Sequence, residues 1–273
     1  QSSVSYAVRQ LERRLPVALF ERSGRKAELT EAGQALLNRA RALLDEARGL
    51  ERYAATLAHG WEAEVTLAAD VIAPPTFVMP ALARFSETAP ATRVRVLETV
   101  LTGTTDAIVD RQADLALIAN QAPPGFLGEP LFDVEFVAVA HPEHPLHRLG
   151  RAVTDADLRT HRQIVIRDTG RQGRDSGWLG APQRWTVSHV QTSVTALEQG
   201  MGFAWVPRDI VADALAADRL RPLAMEQGGS RRVSLHLVVI DPDAAGPAVH
   251  ALADALRDTA ARHRRHPGPA SGP

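Results

Sequence analysis

The side chains best suited to binding chemistry lie at the start of the chain. Residues 1–30 hold six cations, Arg9, Arg13, Arg14, Arg22, Arg25 and Lys26, against three acids, so the segment is +3 and the remainder −4. Val4, Val8, Leu11 and Leu15 recur at i, i+4, i+7 and i+11, the stripe of an amphipathic helix that Ser2 or Ser3 can cap. Ser2, Ser5, Tyr6, Arg9 and Arg13 fall on the other face, hydroxyls first and cations further along, which suits base edges and phosphates in a major groove. An ordinary amphipathic surface helix fits the same stripe. Pro16 ends the helix, and Glu21-Arg22-Ser23-Gly24-Arg25-Lys26 puts three cations in five residues of a turn that could grip phosphates beside a groove-reading helix. Gln1, Ser2, Ser5, Tyr6 and Arg9 are the candidate base or backbone contacts, and Arg22, Arg25 and Lys26 the candidate phosphate contacts.

Other chemistries find weaker support. His141, His144 and His147 could suggest a metal triad, but Pro142 and Pro145 break any shared helical face, so a solvated turn is expected and no metal or cofactor. Asp168-Thr169-Gly170 resembles half of an aspartic-protease pair without its second copy, and Gly200-Met201-Gly202 is a tight turn lacking the third glycine of a dinucleotide loop. No Gly-x-Ser-x-Gly nucleophile elbow occurs. With no cysteine, thiolate catalysis, disulfides and Cys-ligated metals are excluded. At 273 residues, 45% apolar and 23% charged, the chain reads as folded, with more than one core. No apolar run approaches the ~18 residues of a membrane span and the N-terminus lacks a signal-peptide pattern. A cytoplasmic protein with no membrane partner is expected.

The elements that must position these residues follow from periodicity. From Thr30 a helix runs without proline until Pro74, with Leu36, Leu43, Leu50 and Leu57 every seven residues and Ala40, Ala47 and Ala54 between them. Gly33 extends the small-residue series backward. Leu and Ala alternating at core positions over about four heptads indicate a coiled-coil seam and a homodimer, which would double the cationic end and let it read two half-sites. Beyond Glu64 the pattern becomes strand, helix, strand, helix, strand: 65–69, 77–85, 94–96, 104–111 and 114–118, a parallel sheet with helices on its faces. A strand at 136–140 precedes the His-Pro turn. The pattern then restarts with strands at 163–167, 185–189 and 203–206, helices at 193–199 and 209–217, a last strand at 235–240 and a helix at 248–262. This is an α/β chain of two lobes with a cleft between them, where small ligands bind at strand ends.

Gln1-Ser2-Ser3-Val4-Ser5, Gln10-Leu11-Glu12, Val17-Ala18-Leu19-Phe20-Glu21-Arg22 and Leu29-Thr30-Glu31-Ala32-Gly33 together resemble the winged helix-turn-helix of LysR-type transcriptional regulators. The resemblance continues through Leu82-Ala83-Arg84-Phe85, Ala113-Asp114-Leu115-Ala116, His141-Pro142-Glu143-His144-Pro145-Leu146 and Gly200-Met201-Gly202-Phe203-Ala204-Trp205-Val206-Pro207. It implies a two-lobed effector domain like periplasmic binding proteins, preceded by a partial winged helix-turn-helix and a long coiled-coil linker helix that pairs antiparallel. The expected boundaries are 1–29 for the recognition helix and wing, 30–60 for the linker and 61–262 for the effector domain. Its first lobe is expected at about 61–138 plus 240–262 and its second at about 139–239, before a disordered tail at 263–273. The sequence departs from the family in beginning at the recognition helix, without the helices that brace it, and in carrying Pro16 where glycine is usual.

By the same analogy the effector pocket should include Asp70, Ile72 and Thr76, the turn Thr99, Leu101 and Thr102, Asn120, and from the second lobe Arg167, Thr169 and Thr192. Hydroxyls and a helix start near Thr192 suit a polar or anionic effector, whereas Asp70 would repel an acid and prefer an amine or hydroxyl donor, unless it only caps the turn before Pro74. Both charges of effector stay open. The expected function is a sequence-specific DNA-binding regulator, with no enzymatic activity, whose cleft senses a small molecule and alters the oligomer's DNA-binding geometry. Its partners would be double-stranded DNA with an interrupted dyad, a small-molecule effector, and further copies of itself as a homodimer or homotetramer. A solute-binding protein or a small-molecule enzyme using the same cleft is the alternative.

Overall fold

In a computed structural model, residues 2–15, 17–23, 26–171, 173 and 179–265 are described. The chain folds as two units, Gln1–Ala54 and Ala55–Pro273. In the first, helix α1 (Ser2–Arg14) leads to a hairpin of β1 (Phe20–Ser23) and β2 (Lys26–Leu29), and then to α2 (Glu31–His59). Side-chain hydrogen bonds lock this order in place. Glu12 of α1 accepts from the backbone N–H of Leu19 and of Phe20. Thr30 caps α2 by accepting from the Gly33 N–H at 2.9 Å while its hydroxyl donates to the Ala18 carbonyl. Gly33 is there because nothing larger fits: a Cβ would meet the Leu19 carbonyl oxygen 2.1 Å away. The glycine that the heptad pattern places in the seam packs instead against the segment before the hairpin.

The second unit is built on β3 (Glu64–Asp70), α3 (Pro75–Thr88), β4 (Arg93–Thr99), α4 (Thr102–Val109), β5 (Leu115–Ala119) and β6 (Gly128–Ala140). Then come α5 (Asp155–Arg159), β7 (Gln163–Ile166), β8 (Arg184–Val187), α6 (Val190–Glu198) and β9 (Phe203–Pro207). The unit ends with α7 (Ala212–Ala216), β10 (Arg221–Pro222), β11 (Ser230–Val239) and α8 (Pro247–Arg265). The strand order is β4-β3-β5-β11-β6-β9-β7-β8, with β10 beside β6. As the periodicity predicts, β3 pairs in parallel with β4 and β5, and β7 with β8 and β9. One lobe closes around Phe77, Phe85, Leu67, Leu117 and the apolar face of α8, whose N-terminus is held by the Glu62 carboxylate accepting from the Ala248 and Val249 N–H groups. The other closes around Leu197, Phe203, Leu158 and Leu220.

Strands β6 and β11 are an antiparallel pair running from one lobe into the other, with a register shift at Leu235/His236. Both are longer than their apolar runs predict. Glu129, Asp133 and Glu135 in β6, and Arg231, Arg232 and Ser234 in β11, interrupt the hydrophobic signal, yet their backbones continue the ladder. The predicted helix at 209–217 is a 3₁₀ turn, Arg208–Val211, followed by α7. The one-turn α5 has no periodicity to announce it and depends on a capping box between Thr154 and Asp157.

The His-Pro turn departs from its expected solvation. His144 is buried, its Nδ1 accepts from the Leu146 N–H to start a 3₁₀ turn, and its ring lies 5.1 Å from that of His161. Burial first, then the neighbouring His161, His147 and His141, pull its pKa down to about 4.

A methyl group at position 33 must push the Leu19 carbonyl aside, at an overpacking cost of about 1–3 kcal/mol. Gly33→Ala should therefore speed amide exchange across residues 17–36 and leave β3 and β5 protected as before. Equal protection of residues 17–36 in the two proteins would show that this close approach is not what holds the N-terminal unit.

Candidate ligand cleft and nucleic-acid interface

A cavity of about 110 Å³ lies where the two lobes meet. It is lined from the first lobe by Asp70, Val71, Ile72, Val100 and Leu101, and from the second by Gln163 to Ile166, Val190 and Ser193. Residues 204–207, with Phe136 and Arg231 on the crossing strands, complete it. Of the residues expected to bind effector, Asp70, Ile72 and Leu101 line this cavity.

The others have different places. Thr99 is buried, its Oγ1 2.8 Å from Thr104 Oγ1. Thr76 and Arg167 are exposed, as is Asn120, which ends β5 in a left-handed turn at φ 63°. Thr192 is exposed because α6 begins at Val190, so that Val190 and Ser193, three residues apart on one face, line the cavity in its stead. Ser193 is 1% exposed, and its Oγ makes no hydrogen bond to a described residue.

Thr102 and Thr169 form a clasp that closes one end of the cleft. Asp168 accepts from the Thr102 backbone N–H at 3.1 Å and from its hydroxyl at 2.6 Å, and also from the Gly170 N–H. The Thr169 hydroxyl oxygen accepts from the Val100 N–H at 2.9 Å, and the Arg171 N–H donates to Asp106. Gly103 and Gly170 permit this approach, because a Cβ at either would fall about 2 Å from a threonine Oγ1 across the junction. Leu101, at the cavity wall, is held at φ 53°, a strained value for leucine that the surrounding bonds impose. Periodicity could not find these glycines, because neither ends a helix nor sits in a recognisable turn dipeptide. The Asp-Thr-Gly run was the visible signal, and its work is structural.

Asp70 is 3% exposed, and its carboxylate accepts from the Ile72 N–H and the Thr104 hydroxyl, each at 3.1 Å. Burial outweighs these bonds and, with the nearby Asp168 charge, pushes its pKa up to about 6.

At the other end of the chain, the Tyr6 hydroxyl is exposed and accepts from the Gln10 amide, with Arg9 exposed on the same helix. Gln1, Pro16, Gly24 and Arg25 lie outside the described residues, as do the side chains of Ser2, Ser5, Arg22, Lys26, Ala54 and Leu57. The hairpin brings the backbone of Arg22 and Lys26 to neighbouring register positions. Along α2, Leu36 is half-buried, Ala40 and Ala47 are exposed, and Leu43 and Leu50 are 67% and 70% exposed.

Residues 58–261 match the LysR substrate binding domain, and residues 1–34 match the bacterial regulatory helix-turn-helix protein of the lysR family. The chain belongs to the LysR family. It is thus a transcriptional regulator with a helix-turn-helix DNA-binding end and an effector-binding domain. It is 30% identical over 230 residues to the probable HTH-type transcriptional regulator YhaJ of Escherichia coli K12, covering 82% of this chain and 77% of that protein. Its fold matches CrgA, a LysR-type regulator from Neisseria meningitidis, at a TM-score of 0.58 and 22% identity over 95% of this chain and 89% of that one. Vibrio fischeri DarR, solved in complex with DNA, matches at a TM-score of 0.55 and 16% identity over 95% and 89%. Among the described residues of this LysR protein, no helix is long and apolar enough to cross a membrane.

Two predictions follow from the cleft's geometry. The chain has no cysteine, so Val109 and Met201, exposed on opposite lobes, can be replaced by cysteines for spin labels without background. Gly170→Ala should lengthen and broaden their separation, and an unchanged distance distribution would mean that the glycine contact does not set lobe closure. For Asp70 the fold favours the protonated acid, so its contribution to stability is largest below pH 3.8 and is lost as pH rises through about 6. The melting temperature of Asp70→Asn minus that of the parent should climb between pH 4 and pH 7. A shift of two pKa units corresponds to at most on the order of 3 kcal/mol, and a flat difference would place Asp70 in water.

Proposed function

We propose that this regulator senses a small molecule in the junction cavity and thereby changes the relative placement of paired DNA-reading ends. The observation that carries this reading is the cavity at the junction of two lobes that meet through a clasp, with a buried hydroxyl, Ser193, that has no hydrogen-bond partner among the described residues. A ligand shifts such an equilibrium only by its difference in affinity for open and closed arrangements. The hydrogen bonds of the clasp are made in the closed arrangement and would be given up in an open one. On this reading the chain acts as a binding protein in the cytoplasm, as its similarity to transcriptional regulators supports.

On the DNA side, α1 enters a major groove with Tyr6 and Arg9, joined by Gln1, Ser2 and Ser5, while Arg22, Arg25 and Lys26 hold phosphates. Supporting this are the helix–hairpin order, the net +3 of the first 30 residues, and the DNA complex of DarR. The effector side extends from the cavity wall to Thr76, Thr99, Thr102, Asn120, Arg167, Thr169 and Thr192, which ligand-driven opening of the clasp would bring into play. Two copies pair along Leu36, Ala40, Leu43, Ala47, Leu50, Ala54 and Leu57, and pairs of dimers make a tetramer on an interrupted dyad. Leu43 and Leu50, two of the exposed leucines of α2, favour this, since a second helix would cover them.

Sedimentation of Leu43→Asp tests the seam: a shift to a smaller species is expected, and an unchanged oligomer would remove the coiled coil. DNA from upstream of the regulator's own gene tests the reading head. Its affinity should fall for Arg25→Ala across all sequences, with the salt slope flatter by about one unit. A wild-type slope in that variant would exclude the hairpin from phosphate contact.

A further inference from the structure

Taking the junction cavity as the effector site, we propose that its ligand is a compact, largely apolar molecule that presents an amine or hydroxyl donor, and that carboxylates and phosphates are rejected. The walls are mainly aliphatic, with Val71, Ile72, Leu101, Ile164, Val190 and Val206 facing one space. A cavity of about 110 Å³ that is partly open to solvent is smaller than the ~150 Å³ closed apolar cavities that take up a benzene ring, so it suits a compact ring whose head group reaches the opening.

Two polar groups then decide the charge of what can enter. Asp70 is a buried acid in the cavity wall, and the charged neighbour that raises its pKa further is Asp168, another acid, so an anion entering beside it meets negative charge. Ser193 Oγ offers a hydrogen bond that no described residue takes. The cation in the lining, Arg231, is exposed, and its guanidinium lies over the Phe136 ring at 4.8 Å, at the crossing strands. Repulsion between two desolvated acids exceeds the gain from one neutral hydrogen bond, so Asp70 and not Ser193 sets the sign. Ionised Asp70 pairs with an ammonium or accepts from a hydroxyl, and its oxygens already tied to Ile72 and Thr104 hold its place while it does so.

The test uses three probes with one ring and different heads: benzylamine, benzyl alcohol and benzoate. Each is titrated calorimetrically into the 273-residue chain at about pH 8, where a group of pKa about 6 is ionised. Benzylamine and benzyl alcohol should bind, with benzoate at least about ten-fold weaker than benzylamine, equivalent to ~1.4 kcal/mol. Asp70→Asn should bring benzylamine and benzoate to within a few-fold of each other, and Ser193→Ala should weaken benzyl alcohol. Benzoate binding the unsubstituted chain as well as benzylamine does would overturn the ligand class and leave the cleft reading intact. Binding by none of the three would overturn both, and this comparison stands even if neither variant folds.

Discussion

Two backbones can lie against each other across the junction only because Gly103 and Gly170 have no side chain. That steric constraint underlies the closed cleft. With the backbones so close, Asp168 reaches both the amide and the hydroxyl of Thr102, and Thr169 reaches Val100. Hydrogen bonds to a carboxylate contribute about 1.5–3 kcal/mol each and neutral ones about 1, so the clasp is strong enough to hold the lobes and weak enough for a ligand to oppose. Strands β6 and β11 tie the lobes together, since β6 contributes to both cores and pairs with β11 through a ladder that shifts register at Leu235/His236.

The same device recurs in the N-terminal unit. Gly33 lets the first turn of α2 sit against the Leu19 carbonyl, and Thr30 and Glu12 then satisfy the backbone groups around that contact. In both places a glycine creates the proximity, and an acid or hydroxyl converts it into a fixed orientation. Unpaired buried amides would otherwise cost as much as the contact gains.

Much of this architecture was legible because hydrophobic periodicity reports which faces are covered. The repeats in residues 65–118 and 163–206 located strands and helices, since each buries one stripe. Where burial is divided unevenly the signal failed: β6 and β11 alternate charged and apolar residues over half their length and read as loop. The cavity was less legible still. Asp70, Ile72 and Leu101 could be placed by strand ends, but Val190, Ile164 and Val206 are aliphatic residues of a kind that fills any core, and only the packing of two lobes leaves them facing a space. Thr192 lies one position from the cavity lining because α6 starts at Val190, three residues before the predicted 193, and a helical face turns by 100° per residue.

Asp70 ties the cavity's charge to the clasp's geometry. Its carboxylate is bonded to Ile72 after β3 and to Thr104 in α4, and Thr104 in turn contacts Thr99 at the end of β4. The α4 segment that carries Thr104 also carries Thr102 and Gly103, the first lobe's share of the clasp. Protonation of Asp70, or its engagement by a cationic group, changes how strongly it holds Thr104 and therefore bears on the segment that must release Asp168 for the lobes to part. A ligand that met only the aliphatic walls would stabilise the closed form without touching this linkage. On the proposed reading, one that reaches Asp70 would act on the cavity and on the clasp together, so the head group, more than the apolar body, would determine whether binding is transmitted to the lobes.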